Sequence, residues 1–173
     1  MHEQPTLRVA TAEDAAGIAS LHLRSVFAAY SEILAADFLA TLTLDSFVEQ
    51  WHQRLGAQGS SPFTETMVAE TQSQIVGFAY CDLSRDGGAN DVAEVLALHV
   101  APEQRQRGIG QALLETADSR LFARSASNIL LWVFEQNWRA RRFYERMGWR
   151  ADRDTVENPP LHHGAPIVKY WRR

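Results

Sequence analysis

The residues best suited to chemistry lie between Glu94 and Gln111. The run Leu98-His99-Val100-Ala101-Pro102-Glu103-Gln104-Arg105-Gln106-Arg107-Gly108-Ile109-Gly110-Gln111 reads as a buried strand, a short turn and a helix that opens on two glycines. A helix N-terminus presents unpaired N–H groups and the positive end of its dipole. Gly108 and Gly110 remove side chains that would hold an anion off, and Arg105 and Arg107 bring charge suited to phosphate. The combination suits a pyrophosphate cradle, although an ordinary turn with solvated arginines would use the same residues. The Gly-Lys-Ser/Thr ending of a Walker loop is absent, and two glycines fall short of a dinucleotide fingerprint.

Two groups upstream could move protons. Glu94 alternates with Leu96, Leu98 and Val100, so a regular strand puts a carboxylate on their apolar face. A buried carboxylate needs a partner or a raised pKa, and a raised pKa suits a general base. His99 titrates near neutrality and is the rival base, pointing to the opposite face unless a bulge intervenes. Either residue, or neither, could serve. Cys81 reads as a core strand residue, with an acyl-cysteine role the remote alternative. His162-His163 lacks a third ligand at suitable spacing, so no metal site is expected.

The elements that must position these groups follow from periodicity and turn residues. Leu7–Ala10 is a short strand. Thr11-Ala12-Glu13-Asp14 opens a helix with an N-cap hydroxyl and acids in its first turn. A second helical stretch covers 35–55. Thr64–Thr71 and Gln74–Leu83 form a hairpin around Gln72-Ser73. After the 84–91 loop come a strand at Val92–Val100, a helix at 108–124, a strand at Asn128–Phe134, a helix at Trp138–Met147, a strand at Trp149–Val156, a break at Asn158-Pro159-Pro160 and a last strand at Pro166–Trp171. The strand–helix–strand units argue for local parallel pairing and the hairpins for antiparallel pairing elsewhere. The fold class is α+β, a mixed sheet with helices on both faces.

With 173 residues, 46% hydrophobic and 22% charged, the chain is expected to form a single domain over 1–173. One cysteine excludes an intrachain disulfide. No run of eighteen apolar residues exists and no signal-peptide pattern opens the chain, so a cytoplasmic protein without membrane contact is the expectation. The net charge of −4 divides unevenly: residues 1–100 carry −9, 101–150 carry +4 and 151–173 carry +1. A basic middle beside an acidic first half suggests one anionic and one cationic partner, and argues against a nucleic-acid binder. Of 17 basic residues, 16 are arginine and Lys169 is the one lysine. With many alanines, this suggests a GC-rich bacterial genome by association.

Arg105-x-x-Gly108-x-Gly110 after Leu98-x-Val100 resembles the acetyl-CoA signature of the GNAT N-acetyltransferase superfamily. Downstream, Leu131-Trp132-Val133, Asn137, Ala140, Phe143-Tyr144 and Gly148-Trp149 resemble its second signature, with Trp149 where Phe is usual. The opening at Arg8–Asp14 and the Val68-Ala69-Glu70…Val76-Gly77-Phe78 hairpin are also similar, so the resemblance covers nearly the whole chain. It implies the acyl-CoA N-acyltransferase fold, a mostly antiparallel sheet whose parallel strands Val92–Val100 and Asn128–Phe134 splay apart around acetyl-CoA. It further implies that the backbone of Leu98 and Val100 pairs with the pantetheine arm. The N–H groups from Arg105, Gln106 and Arg107 through Gly108, Ile109, Gly110 and Gln111 would take the pyrophosphate. Gln106 stands where many members have Gly, at a position the motif leaves free.

Tyr144 matches the family's general acid, a phenol able to hand a proton to the departing thiolate. Asn137 matches a position that touches the CoA arm, and capping its own helix is the equal alternative. Ala140 and Phe143 complete that motif. Glu94 stands at the spacing of the glutamate base of histone-acetylating relatives. Arg139, Arg141, Arg142 and Arg146 could meet the 3′-phosphate, though a solvated face is the simpler reading. The helices before Gly56 and the loop after Arg85 would shape the acceptor side, with Arg24, Phe27, Tyr30, Glu32, Trp51, Asp82 and Asp86. The acidic first half would favour a cationic amine there. The leading expectation is acetyl transfer to a small-molecule amine. The alternatives are a protein lysine or N-terminal acetyltransferase and a non-catalytic CoA-binding module. A homodimer is common among relatives.

Overall fold

A computed structural model describes residues 4–85, 90–157 and 164–173. Asp86, the Asn158–Pro160 break and the His162-His163 pair lie outside the described residues. Seven strands form one sheet in the order β1-β2-β3-β4-β5-β7-β6. They are β1 (Thr6–Val9), β2 (Glu65–Thr71), β3 (Gln74–Leu83), β4 (Val92–Val100), β5 (Asn128–Phe134), β6 (Arg150–Glu157) and β7 (Ile167–Arg172). Among the described residues only β4 and β5 pair in parallel, and every other ladder is antiparallel. The second strand–helix–strand unit does not pair with itself, because β7 inserts between β5 and β6.

Helices α1 (Ala15–Tyr30), α2 (Ala36–Leu39) and α3 (Leu44–Gly56) precede β2, and α4 (Ile109–Ala123) and α5 (Trp138–Arg146) flank β5 in sequence. The helix expected over 35–55 is two. The Thr43 hydroxyl accepts from the Ser46 amide at 3.2 Å, and this N-cap starts α3 afresh. Between β2 and β3, Gln72 and Ser73 hold φ of 48° and 59°, so the tight hairpin turn forms without glycine.

The sheet separates two cores. On one face Leu113, Leu114, Ala117 and Leu121 of α4 pack with Ala79, Cys81, Ala93, Val95, Ile129 and Leu131, joined by Tyr144 of α5. On the other, Ile18, Leu21 and Val26 of α1 and Phe47, Trp51 and Leu55 of α3 pack on Val68, Phe78, Tyr80 and Phe134. Each helix presents its apolar stripe to the sheet, and burial of these stripes is the main favourable term in folding. Among the described residues no helix is long and apolar enough to cross a membrane.

Candidate functional site

The β4–β5 ladder is short. It runs Val92↔Asn128, Ala93↔Ile129, Glu94↔Leu130 and stops. Beyond Glu94 the two parallel strands share no ladder, although both continue, β4 to Val100 and β5 to Phe134. A V-shaped opening results, in which Leu98 and Val100 keep ladder partners only on the β3 side.

A bulge coincides with the start of the opening. Tyr80 pairs with Ala97 and Cys81 with Val95, which leaves Leu96 as the extra residue. The bulge exchanges the two faces of β4. Ala93 and Val95 before it and Leu98 and Val100 after it face the α4/α5 core, whereas Leu96 and Ala97 face the α1/α3 core. The alternation read from sequence therefore fails for Glu94. It lies opposite Leu98 and Val100, on the face of His99, because one extra residue inverts a period of two.

Glu94 is buried and has found a partner. Its carboxylate accepts from Arg85 Nη2 at 2.9 Å and from the Arg85 amide at 3.2 Å, one bond to each oxygen. Its cross-strand neighbour Asp82 accepts from Thr64 Oγ1 at 2.5 Å, the Leu83 amide at 2.7 Å, Ser61 at 3.2 Å and the Tyr80 hydroxyl at 3.3 Å.

At the open end of β4 the chain turns through Pro102–Gln104 into α4. Gln106 takes a φ of 64° and Gly108, the N-cap, a φ of 79°. No side chain caps α4, so its first amides remain available to a ligand. A side chain at Gly108 would meet nothing within 4 Å, and one at Gly110 would approach Val100 and the Phe143 ring. Thus Val100, Gly110 and Phe143 converge where β4, α4 and α5 meet. Arg105 Nε donates to the Val100 carbonyl at 3.3 Å and Arg107 to Gln104 at 3.0 Å. The Arg105 pKa is lowered by burial and by the charge of Arg139, so two cations face this end of the opening.

Asn137 caps α5, accepting from the Ala140 amide at 3.1 Å. Ala140 and Phe143 pack against the α4/α5 core. Tyr144 is buried among Phe143, Trp149 and Tyr170. Burial and the neighbouring Tyr30 push its phenol above the ordinary range. Arg141 is bound to the Tyr170 hydroxyl and the Glu135 carbonyl, both at 3.1 Å. Cys81 is buried against the α4/α5 core, where burial pushes its thiol up.

The opposite side holds residues that the sequence reading passed over. The His22 ring of α1 lies 4.8 Å from that of His99, tilted by 47°. Its Nδ1 accepts from Trp51 Nε1 at 3.2 Å, which leaves the neutral ring's proton on Nε2. Burial lowers the pKa of both histidines, His99 to about 4, with Arg105 and Arg54 adding to the effect there. Tyr30 lies 6.3 Å from His99 and 4.9 Å from Phe134 of β5, with burial raising its pKa to about 12. Arg54 lies over Trp51 and Tyr80. Trp51 and Tyr30 pack in the α1/α3 core, Asp82 stands opposite Glu94, and Phe27 is exposed. Arg24 pairs with Glu103 on the surface at 3.2 Å. His22 and Arg54 lie on separate helices in no motif, and their shared face was the only signal available. No group of three metal-ligating side chains occurs among the described residues.

The family model described as Acetyltransferase (GNAT) family matches residues 27–149. An uncharacterized N-acetyltransferase of Bacillus subtilis, YuaI, is 29% identical over 133 residues, 76% of this chain and 73% of that protein. A mycothiol acetyltransferase of Thermobispora bispora is 32% identical over 90 residues, 49% of this chain but 30% of that relative. Among solved structures, the PaiA N-acetyltransferase of Thermoplasma acidophilum in complex with coenzyme A aligns with a TM-score of 0.78 at 20% identity, covering 96% of this chain and 98% of that one.

Proposed function

The chain belongs to the acetyltransferase (GNAT) family, and from that premise we propose that it moves the acetyl group of acetyl-CoA to the primary amine of a small molecule. The observation that carries this reading is the β4–β5 ladder that stops at Glu94↔Leu130 beside the uncapped start of α4. The residues present fit the cosubstrate. The backbone of Leu98 and Val100 has no β5 partner and is free to bind an extended amide-bearing arm. The amides from Arg105 to Gln111 suit a pyrophosphate, with Arg105 and Arg139 adding charge. Asn137, Ala140 and Phe143 would border the arm.

Acetyl-CoA supplies an activated acyl thioester. Tyr144 serves as the proton donor to the leaving sulfur. Burial and Tyr30 keep its O–H intact, so it meets the sulfur as a hydrogen-bond donor while the C–S bond breaks, and the proton that the amine gives up to His99 balances the one that the departing thiolate takes. His99 serves as the proton acceptor. It is neutral above pH of about 4, and an attacking amine becomes strongly acidic as its nitrogen gains charge, so a weak base suffices. Glu94, with both oxygens on Arg85, anchors the turn after β3 rather than moving protons.

A small acceptor is favoured over a protein because the polar groups His22, His99, Arg54 and Asp82 lie between the sheet and two helices rather than along an open groove. The test is thiol release from acetyl-CoA against a panel of amines, amino acids and peptides. Release with small amines alone is expected. Release with peptides alone would replace this reading by the protein acetyltransferase. Acetyl-CoA binding with no release on any acceptor would favour the non-catalytic module.

A further inference from the structure

Arg54 is a cation that the chemistry above leaves unused. It lies on α3 one turn after Trp51, with its guanidinium carbon 4.9 Å from the Trp51 ring centre and 5.1 Å from that of Tyr80. Among the described residues no carboxylate pairs with it. Asp82 is occupied by Thr64, Ser61, Leu83 and Tyr80, and Glu94 by Arg85. The Nη1 atom is buried without a hydrogen-bond partner. Burial lowers the Arg54 pKa, opposed by Tyr80 and reinforced by the charge of Arg85. The two aromatic rings offset part of the cost of desolvating this guanidinium, and a counter-charge would offset more of it.

Its position is specific. Tyr80 stands opposite Ala97 in the β3–β4 ladder, beside the Leu96 bulge where β4 begins to leave β5. Adjacent strands lie about 4.8 Å apart, so the guanidinium is within the length of a small molecule from the opening. The Trp51 and Tyr80 rings, which meet at 75°, flank the guanidinium and leave Nη1 as an unpaired donor.

We propose that Arg54 binds a carboxylate of the acceptor, so that the substrate class is an amino carboxylate. This rests on the reading of the chain as an amine acetyltransferase whose acceptor enters on the α1/α3 face. The amine end then meets His99 at the opening while the carboxylate meets the fork of Arg54 in a bidentate pair. The acidity of residues 1–100, which favours a plain cation as acceptor, is a property of the whole surface. Arg54 is the local charge, and it has the opposite sign.

The test offers the twenty protein amino acids and a series of ω-amino acids, each beside its carboxamide, to the wild type and to Arg54→Met and Arg54→Lys. At least one free acid is expected to exceed its carboxamide by roughly 100-fold in kcat/KM, the scale set by breaking a buried charge pair. The preference should vanish in Arg54→Met and survive in part in Arg54→Lys, with the acetyl-CoA Kd unchanged in both. Arg54→Met should melt close to the wild type, because the thioether keeps apolar packing on Trp51 and Tyr80 while the desolvated cation and its ring contacts are lost together. Tryptophan fluorescence of the CoA-loaded protein gives a second readout, as Trp51 stacks on Arg54. It should respond to the acid and not the carboxamide, and the Met variant should lose that response. Equal use of acid and carboxamide, or a preference that persists in Arg54→Met, overturns the proposal. Absent turnover with fluorescence that still separates the two would sink the transferase reading and leave the Arg54 assignment standing. Fluorescence that never separates them, in the absence of turnover, overturns the assignment.

Discussion

On the α4/α5 side of the opening, the groups proposed to bind the cosubstrate are backbone amides of one contiguous segment, with Gly108 and Gly110 keeping that segment bare. On the α1/α3 side, the chemistry lies in side chains from four separate elements: His22 of α1, Trp51 and Arg54 of α3, Tyr80 of β3 and His99 of β4. The first side is polar where it meets ligand and needs no particular partner residue. The second is a buried aromatic nest holding groups whose charged forms are disfavoured by burial. In the proposed reading, a cosubstrate shared by a whole family would be met by backbone geometry, and an acceptor particular to this chain by side chains.

Tyr144→Phe probes the first side most severely. It removes one hydroxyl from a buried ring and leaves the packing with Phe143, Trp149 and Tyr170 in place. Turnover is expected to fall by on the order of 100-fold or more, with acetyl-CoA affinity unchanged in calorimetric titration. Unchanged turnover would remove Tyr144 from the chemistry.

His99→Gln probes the second side through stability. Burial lowers the His99 pKa from its ordinary 6.5 to about 4. Between those values the unfolded chain binds the proton and the folded chain does not, so stability falls as pH drops through that window. The effect is complete near pH 4 and is on the order of 3 kcal/mol. Asp118 acts in the opposite sense, since burial raises its pKa to about 6 and folding then gains as pH falls. The difference between wild-type and His99→Gln melting across pH 7 to 4 isolates the histidine. The variant should lose less stability on acidification, and parallel pH profiles would show that His99 is charged in the fold.

The two sides were unequally legible in the sequence. The strands Val92–Val100 and Asn128–Phe134 stood out as apolar, β-branched runs ended by turn residues, and the glycine turn between β4 and α4 is a contiguous pattern. Asn137 was legible as a cap because its partner Ala140 is three residues away. Leu96 was not, because a bulge is a property of a pair of strands. The face of Glu94 was therefore misread, and its buried carboxylate is met by Arg85. His22 and Arg54 were hidden for the same reason. Each is an unremarkable helix residue until the sheet brings α1 and α3 together over Phe78 and Tyr80. Thr43, a single capping hydroxyl, was enough to divide an expected helix into α2 and α3.

Backbone hydrogen exchange with and without coenzyme A tests the contrast between the two sides most directly. Added coenzyme A should slow exchange at residues 108–111, whose amides have no cap partner, and along Leu98–Val100 on the side that has no β5 ladder, and leave α3 unchanged. Protection centred on α1 and α3, with none at the start of α4, would contradict the placement of the cosubstrate and with it the division of the opening.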